Sequence, residues 1–361
     1  MLPRGYPEVT PRLSRGLGRG QREIEKLLAI WRNNRIFAIR FMMEGLVIRT
    51  TGNWYNVLVE NGQRSIDCRL RGNYRLRGNR QTNPVAVGDR VLFELEDDGT
   101  GVIHEVRDRS NYIVRRATKL SKQTHVIAAN IDLLCIVATL GLPRTSTGFI
   151  DRLLVTAEAY HIPAAIIFNK CDLLVDNELR TLQQELSNLY RTIGYPVLEI
   201  SALKGTGIDK IKELIAGRTV LFSGHSGVGK SALLNALSPD LALKVGDISD
   251  WSLKGRHTTT FAEIHPVQLS SNQAIKQSSN LIDTPGIKEF GMVDFTAQEL
   301  GHFFPEMRSV LHDCRFANCT HRHEPGCAVM QAVDDGRISP ERYRNYLSII
   351  EDIELNPTIT Q

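Results

Sequence analysis

Between residues 36 and 118 apolar and polar positions alternate in short bursts, "EGLVIRT", "WYNVLVE", "RSIDCRL", "DRVLFEL" and "TGVIHEV", separated by Gly, Asn and Asp turn signals. Alternation with period two marks half-buried strands, and five at this spacing predict a small β-barrel. Near Asn130 the pattern changes. The run "IDLLCIVATL" is continuously apolar, "FIDRLLVTAEAYH" has the helical period, and "IPAAIIFNK" is apolar again. A helix at "ELRTLQQELSNLYRTIG", a strand at "PVLEIS", a helix at "GIDKIKELIAG", a strand at "RTVLFSG" and a helix at "SALLNALS" follow. Strand and helix in alternation imply an α/β unit over 119–295, with a parallel sheet covered on both faces. Beyond "SNLIDTPG" strand signals end. Thr296 and Glu299 have the spacing of a capping box for a helix over "AQELGHFF". Ser339-Pro340 opens another, with Tyr343, Tyr346, Leu347, Ile350 and Ile353 on one face. Residues 296–361 therefore read as a small helical domain.

Composition adds a class and a polarity. A chain of 361 residues that is 42% hydrophobic and 23% charged fits a soluble protein of several domains. No apolar run approaches the roughly 20 residues that span a bilayer, and the first 30 residues lack a signal-peptide core, so a cytoplasmic location without membrane contact is expected. Residues 1–122 carry 23 Lys and Arg against 13 Asp and Glu, whereas 123–361 carry 21 against 27. A basic front end on an acidic body suggests a polyanion partner. Residues 1–35 read as a flexible basic extension; Glu23 and Glu25 interrupt the acid-poor pattern of a transit peptide. In the barrel, "RLRGNYRLRGNR" offers Arg69, Arg71, Arg75, Arg77 and Arg80 around Tyr74. Guanidiniums for phosphates and a ring for a base are what an oligonucleotide-binding (OB) barrel uses on RNA.

Gly224 to Ser231, "GHSGVGKS", fits the G-x-x-x-x-G-K-[ST] phosphate loop, with a strand before it and a helix after it. Backbone N–H groups from Gly224, His225, Ser226, Gly227, Val228, Gly229 and Ala232 would face phosphates, Lys230 would reach the β- and γ-phosphates, and Ser231 would ligate Mg²⁺. Base choice falls to Asn169-Lys170-Cys171-Asp172, at the carboxyl end of an apolar strand. The Asp172 carboxylate accepts from guanine N1–H and the exocyclic amine, whereas adenine presents an acceptor there. Asn169 would bind the other edge and tie down the phosphate loop, the stem of Lys170 would cover the base, and a backbone N–H at Ser201-Ala202 would reach guanine O6. Asp283 of "LIDTPG" is placed for Mg²⁺, Gly286 for the γ-phosphate, and Thr258 or Thr259 of "GRHTTTF" for the metal shell.

Six cysteines divide into two groups. Cys68, Cys135 and Cys171 are isolated and read as buried thiols, while Cys314, Cys319 and Cys327 crowd into fourteen residues, "CRFANCTHRHEPGC". Three thiolates and one imidazole suit a closed structural zinc site, with His312, His321 and His323 all available as the fourth ligand.

In the order "NKCD", "SALKGTG", "GHSGVGKS", "GRHTTT", "DTPG", the motifs resemble those of the RsgA/YjeQ family of circularly permuted GTPases. The resemblance implies an OB barrel, a GTPase with its motifs in the order G4-G5-G1-G2-G3, and a zinc domain with ligands Cys314, Cys319, His321 and Cys327. It further implies GTP hydrolysis stimulated by the small (30S) ribosomal subunit, late in that subunit's maturation, with rRNA as partner. After Gly286 stands Ile287, where Ras-like enzymes carry a water-orienting Gln. The resemblance makes His257 in the first switch its substitute. Two rival readings are a nucleotide-gated RNA-binding scaffold and a GTPase serving another structured RNA. A monomer is expected, and in this order "DTPG" directly precedes the tail, so that nucleotide state would move it.

Overall fold

The computed structural model describes residues 42–59, 64–72, 84–116, 124–243, 262–269, 277–283 and 296–355. The chain divides into units 1–42 and 43–361, and all that follows except Met42 belongs to the second. The basic extension, the loop bearing Tyr74, Arg75, Arg77 and Arg80, and the segments bearing His257, Thr258, Thr259, Gly286 and Ile287 lie outside the described residues.

All five expected barrel strands form: β1 (Met42–Thr51), β2 (Trp54–Val59), β3 (Ser65–Leu70), β4 (Arg90–Leu95) and β5 (Gly101–Val106). Their order is β1-β2-β3-β5-β4, and a β1–β4 pairing closes the barrel. Alternate residues point inward, so Val47, Tyr55, Val57, Ile66, Cys68, Val91, Phe93 and Ile103 make one core. A hairpin of β6 (Tyr112–Arg116) and β7 (Thr124–Ala129) follows, which the alternation did not announce. At this junction Arg109 grips the fully buried Asp89 with two bonds, Nε to Oδ1 at 2.7 Å and Nη2 to Oδ2 at 2.8 Å.

The α/β unit holds β8 (Leu133–Ala138), α1 (Thr147–Ala159), β9 (Ala164–Phe168), α2 (Asn177–Ile193), β10 (Val197–Glu199) and α3 (Ile208–Ile215). Then come β11 (Thr219–Ser223), α4 (Lys230–Leu237), β12 (Glu263–Leu269) and β13 (Gln277–Asp283). Strand order is β10-β9-β8-β11-β13-β12, parallel except for β12. Both faces are apolar: Leu134, Ile136, Ile166 and Leu221 join one core, Cys135, Val137, Ile167 and Phe222 the other. Continuous apolar runs are what a strand covered on both faces requires. β12 was not read from the sequence because Pro266 interrupts it, and proline is disfavoured inside a sheet. It has a full partner on one side only, pairing β13 over seven residues and β1 only at Arg49–Glu263.

The tail contains 3-10 helices at Leu300–Phe303 and Leu311–Asp313, and α5 (Pro305–Arg308), α6 (Ala328–Asp334) and α7 (Pro340–Leu355). The capping box forms, with the Thr296 N–H donating to Glu299 Oε2 at 2.7 Å and the Glu299 N–H to Thr296 Oγ1 at 3.3 Å. It does not start the expected helix over "AQELGHFF"; a turn and the first 3-10 helix take its place. Phe304 precedes Pro305 and is pushed to extended backbone (φ −110°, ψ 104°), which ends the segment. On α7, Tyr346, Ile350 and Ile353 are buried, with Tyr343 and Leu347 packed beside them, as the helical period predicts. No described helix is long and apolar enough to cross a membrane.

Candidate nucleotide site and metal centre

The carboxyl ends of β9, β10 and β11 bring three distant motifs together. Asn169 leaves β9 and is 4% exposed. Its Nδ2 donates to Val228 O at 2.9 Å, and its Oδ1 accepts from the Ala202 N–H at 3.0 Å. One side chain thus ties the tetrapeptide to the phosphate loop and to the Ser201-Ala202 turn. Of the two N–H groups offered at Ser201-Ala202, that of Ala202 donates here to Asn169.

Lys170 has a left-handed backbone (φ 62°), which swings Cys171–Leu173 into a 3-10 turn and leaves Asp172 exposed. Its Nζ donates to Leu142 O at 3.1 Å. The Cys171 thiol turns inward, 3.2 Å from Phe168 O and 3.4 Å from Gln183 Oε1, and is half-buried, not fully buried as expected.

The loop from Gly224 to Gly229 needs its glycines. A Cβ at Gly224 would strike Val137 O, and Gly229 combines a φ of +93° with Asn169 Nδ2 against the place a Cβ would occupy. Lys230 opens α4, and its Nζ donates to Gly224 O at 2.6 Å and His225 O at 3.2 Å. Burial lowers the ammonium from its usual range, and the charge of Asp283 opposes that shift. Asp283, paired with Phe222 across β11 and β13, therefore lies where its field reaches Lys230. Ser201 is buried, and Ser231 occupies the first turn of α4. The His225 ring stacks on Phe149 of α1, with centroids 3.7 Å apart, a contact that no motif announces.

In the tail, the ligand atoms of Cys314, Cys319, His321 and Cys327 lie within 4.8 Å of one another. His321 Nδ1 is 3.6 Å from Cys314 Sγ and 3.4 Å from Cys327 Sγ. Bonds of about 2.3 Å to sulfur and about 2.0 Å to nitrogen put neighbouring S and N atoms of a tetrahedral site about 3.5 Å apart, so these residues fit a four-coordinate cation. Burial pushes the Cys319 thiol up to about 12, raises that of Cys327, and lowers His321. Buried thiolates at this density demand a cation to offset their charge. His312 and His323 are exposed and outside the cluster.

The shell around the centre is equally specific. His321 has a left-handed backbone (φ 54°), and its carbonyl accepts from Tyr343 OH at 2.7 Å. Cys327 caps α6, its Sγ accepting from the Met330 N–H at 3.4 Å. The Glu324 carboxylate collects the N–H groups of Thr320 at 2.6 Å, Arg322 at 2.9 Å and His323 at 3.2 Å. Burial works against that carboxylate, but the Thr320 hydroxyl and these N–H groups hold it well below the usual range.

On the barrel, Arg69 forms an ion pair with Glu96 at 2.6 Å, and Arg71 Nη1 lies 3.3 Å from His104 Nδ1. Trp54, opposite Arg69 across β2 and β3, is 43% exposed. A large exposed ring beside a guanidinium suits stacking on a base, and a lone aromatic in an alternating strand carries no signal that would mark it in advance.

A family model described as RsgA GTPase matches residues 106–293, more than half of the chain, and the RsgA N-terminal domain matches residues 44–103. The chain belongs to the RsgA GTPase family. A relative from Bacteroides thetaiotaomicron, small ribosomal subunit biogenesis GTPase RsgA 2, is 52% identical over 312 residues, covering 86% of this chain and 97% of its own. The RsgA of Christiangramia forsetii is 46% identical over 322 residues, covering 88% and 99%. Among solved structures, YjeQ from Thermotoga maritima aligns with a TM-score of 0.69 at 33% identity, covering 87% of this chain and 99% of that one. YloQ, described as a circularly permuted GTPase, aligns at 0.65 and 31% identity, covering 89% and 98%. As a member of the RsgA family the chain is a GTP hydrolase, with a closed barrel in front of the GTPase domain and a Cys3His cluster behind it.

Proposed function

We propose that this GTPase acts in late maturation of the small ribosomal subunit, with its turnover stimulated by that subunit and rRNA contacted through the barrel. The observation that carries the nucleotide reading is Asn169, whose amide joins the tetrapeptide, the Ser201-Ala202 turn and the phosphate loop. Motifs that stand in permuted order along the chain become neighbours on the sheet. Names of relatives at 46–52% identity support the ribosomal reading.

In this reading Asp172 selects guanine, Lys170 covers the base, and N–H groups of Gly224 to Ala232 cradle the phosphates. Lys230 neutralises charge that develops on the β- and γ-phosphates. Ser231, Asp283 and one of Thr258 and Thr259 would hold Mg²⁺, which supplies charge neutralisation between the phosphates. Ile287 has no group to orient water, and His257 takes that part when the subunit docks. The Cys3His centre holds one structural zinc ion. Domain limits are 36–118, 119–295 and 296–361, and the protein works as a cytoplasmic monomer.

The test is GTP turnover by the purified protein, alone and with each ribosomal subunit in turn. Stimulation by the small subunit, abolished in His257→Ala, is expected. Full stimulation in that variant would remove the histidine from the mechanism. No stimulation by either subunit would favour the scaffold reading, and stimulation by the large subunit alone would reassign the RNA.

A further inference from the structure

Helix α1 touches both candidate sites. Its first turn is capped by Ser146, whose Oγ accepts from the Phe149 N–H at 3.2 Å, and the Phe149 ring lies against His225 of the phosphate loop at 28° between planes. Two residues on, Asp151 is fully buried and faces the tail. Its carboxylate accepts from Arg342 Nη1 at 2.6 Å, Asn345 Nδ2 at 2.6 Å and Tyr190 OH at 2.8 Å. Arg342, 1% exposed, reaches back to Glu306 through Nε at 2.6 Å and Nη2 at 3.1 Å and lies over the Phe304 ring. One turn further, Val155 belongs to the tail's own core together with Cys319 and Cys327. The helix therefore has its N-terminus on the loop and its flank inside the metal-bearing unit.

The loop end of this contact has a reason to move. Lys230 Nζ donates to the carbonyls of Gly224 and His225, and a phosphate oxygen brought to the same ammonium competes with both. Exchange of those partners would release the His225 carbonyl, and the stacked ring is the contact that joins that residue to Phe149. We propose that α1 transmits phosphate-loop occupancy to the metal-bearing tail, with Phe149 as the positioning residue that receives it from His225. This route is independent of residues 284–295, the direct chain connection, and it rests on reading Gly224–Ser231 as the phosphate loop. Coupling of two sites is reciprocal, so the state of the tail returns to the loop by the same contacts. It converts docking of the tail on a partner into a change at the loop.

The experiment uses the full-length, metal-loaded protein and a slowly hydrolysed GTP analogue, guanosine imidotriphosphate. Hydrogen exchange of residues 340–355 is compared with GDP and with the analogue, and the affinity for each nucleotide is measured in parallel. Wild type should show a difference of about fivefold or more in α7 exchange, the lower end of ordinary allosteric couplings. Phe149→Leu, which removes the aromatic face, should reduce it below about twofold while analogue affinity stays within about threefold of wild type. Phe149→Tyr should restore it, which a purely structural role would not require. Asn345→Ala cuts the far end of the same route without touching the loop and should act like Phe149→Leu. An unchanged difference in both variants, or none in wild type despite tight analogue binding, overturns the proposal. Failure of wild type to bind the analogue would instead overturn the phosphate-loop reading, and the coupling with it.

Discussion

Asn169 bonds to Val228, 59 residues away in sequence, and to Ala202, 33 residues away, whereas Cys314, Cys319, His321 and Cys327 come from fourteen consecutive residues. The first site is assembled by the sheet. Its motifs sit at the ends of β9, β10 and β11, strands already fixed by two apolar cores. Among the described residues the second rests on helices, 3-10 turns and loop, with no strand in the tail. Both contain one non-glycine residue held in the left-handed region, Lys170 and His321, a conformation that L-residues occupy only where the surroundings impose it. At Lys170 the imposing force is packing of a large domain. At His321 the constraints are the Tyr343 hydroxyl on its carbonyl and a cluster whose ligand atoms lie within 4.8 Å of one another, so the tail should depend on an ion there while the sheet should not depend on its nucleotide.

The sharpest way to break that contrast is to remove the metal. Structural zinc contributes on the order of 10 kcal/mol to the folding of small domains, comparable to the whole stability of a typical domain. If the centre holds zinc as proposed, chelation, or Cys327→Ser, should abolish amide protection across 296–355 and lose one equivalent of zinc by atomic absorption. Barrel and sheet should keep their protection, and nucleotide affinity should change by no more than about tenfold, since Asn169 and Lys230 bond to Val228, Ala202, Gly224 and His225, all outside the tail. Collapse of the whole chain at one chelator concentration would show that the tail is not a separate folding unit.

Next comes the reciprocal change at the sheet-built site. Asn169→Ala leaves the Val228 carbonyl and the Ala202 N–H without their buried partner, and each such group costs about 1–3 kcal/mol. Guanine-nucleotide affinity should fall by at least about tenfold, while the fold persists because the strands under the loop are untouched. Calorimetric titration with GDP reads the first effect and thermal unfolding the second. Unchanged affinity would mean that the loop holds its shape without the amide.

The same contrast explains what could be read in advance. The phosphate loop, the tetrapeptide and the cysteine cluster are local patterns, each chemically legible within fourteen residues or fewer, and the sheet was legible because its strands are continuously apolar. What escaped was non-local or locally contradictory. β12 carries Pro266, β6 ends in Arg115-Arg116, and Leu300–Phe303 is governed by a proline beyond it. Asp151 and Arg342 are 191 residues apart and look, on their helices, like ordinary solvated charges, yet they are 0% and 1% exposed. Nor does any periodicity foretell that the ring of His225 meets that of Phe149.

The smallest expected effect tests whether the metal loop has any support besides its ion. Glu324 accepts from the turn N–H groups of Thr320, Arg322 and His323 and from the Thr320 hydroxyl, and its charged form is favoured in the folded protein. Glu324→Gln keeps the size but loses the charge, and bonds to a charged group are worth about 1.5–3 kcal/mol where buried. Partial exposure of this side chain reduces the figure to about 1–2 kcal/mol. The sign with pH follows from a folded-state pKa below the unfolded one. The advantage of the wild type is complete above the ordinary glutamate value of 4.5 and is lost as pH falls further toward the folded-state value. Denaturant unfolding of the zinc-loaded proteins should therefore give a constant gap from about pH 6 to 8. A gap that instead grew on acidification would mean that Glu324 is protonated in the native loop, and that the ion alone holds the turn.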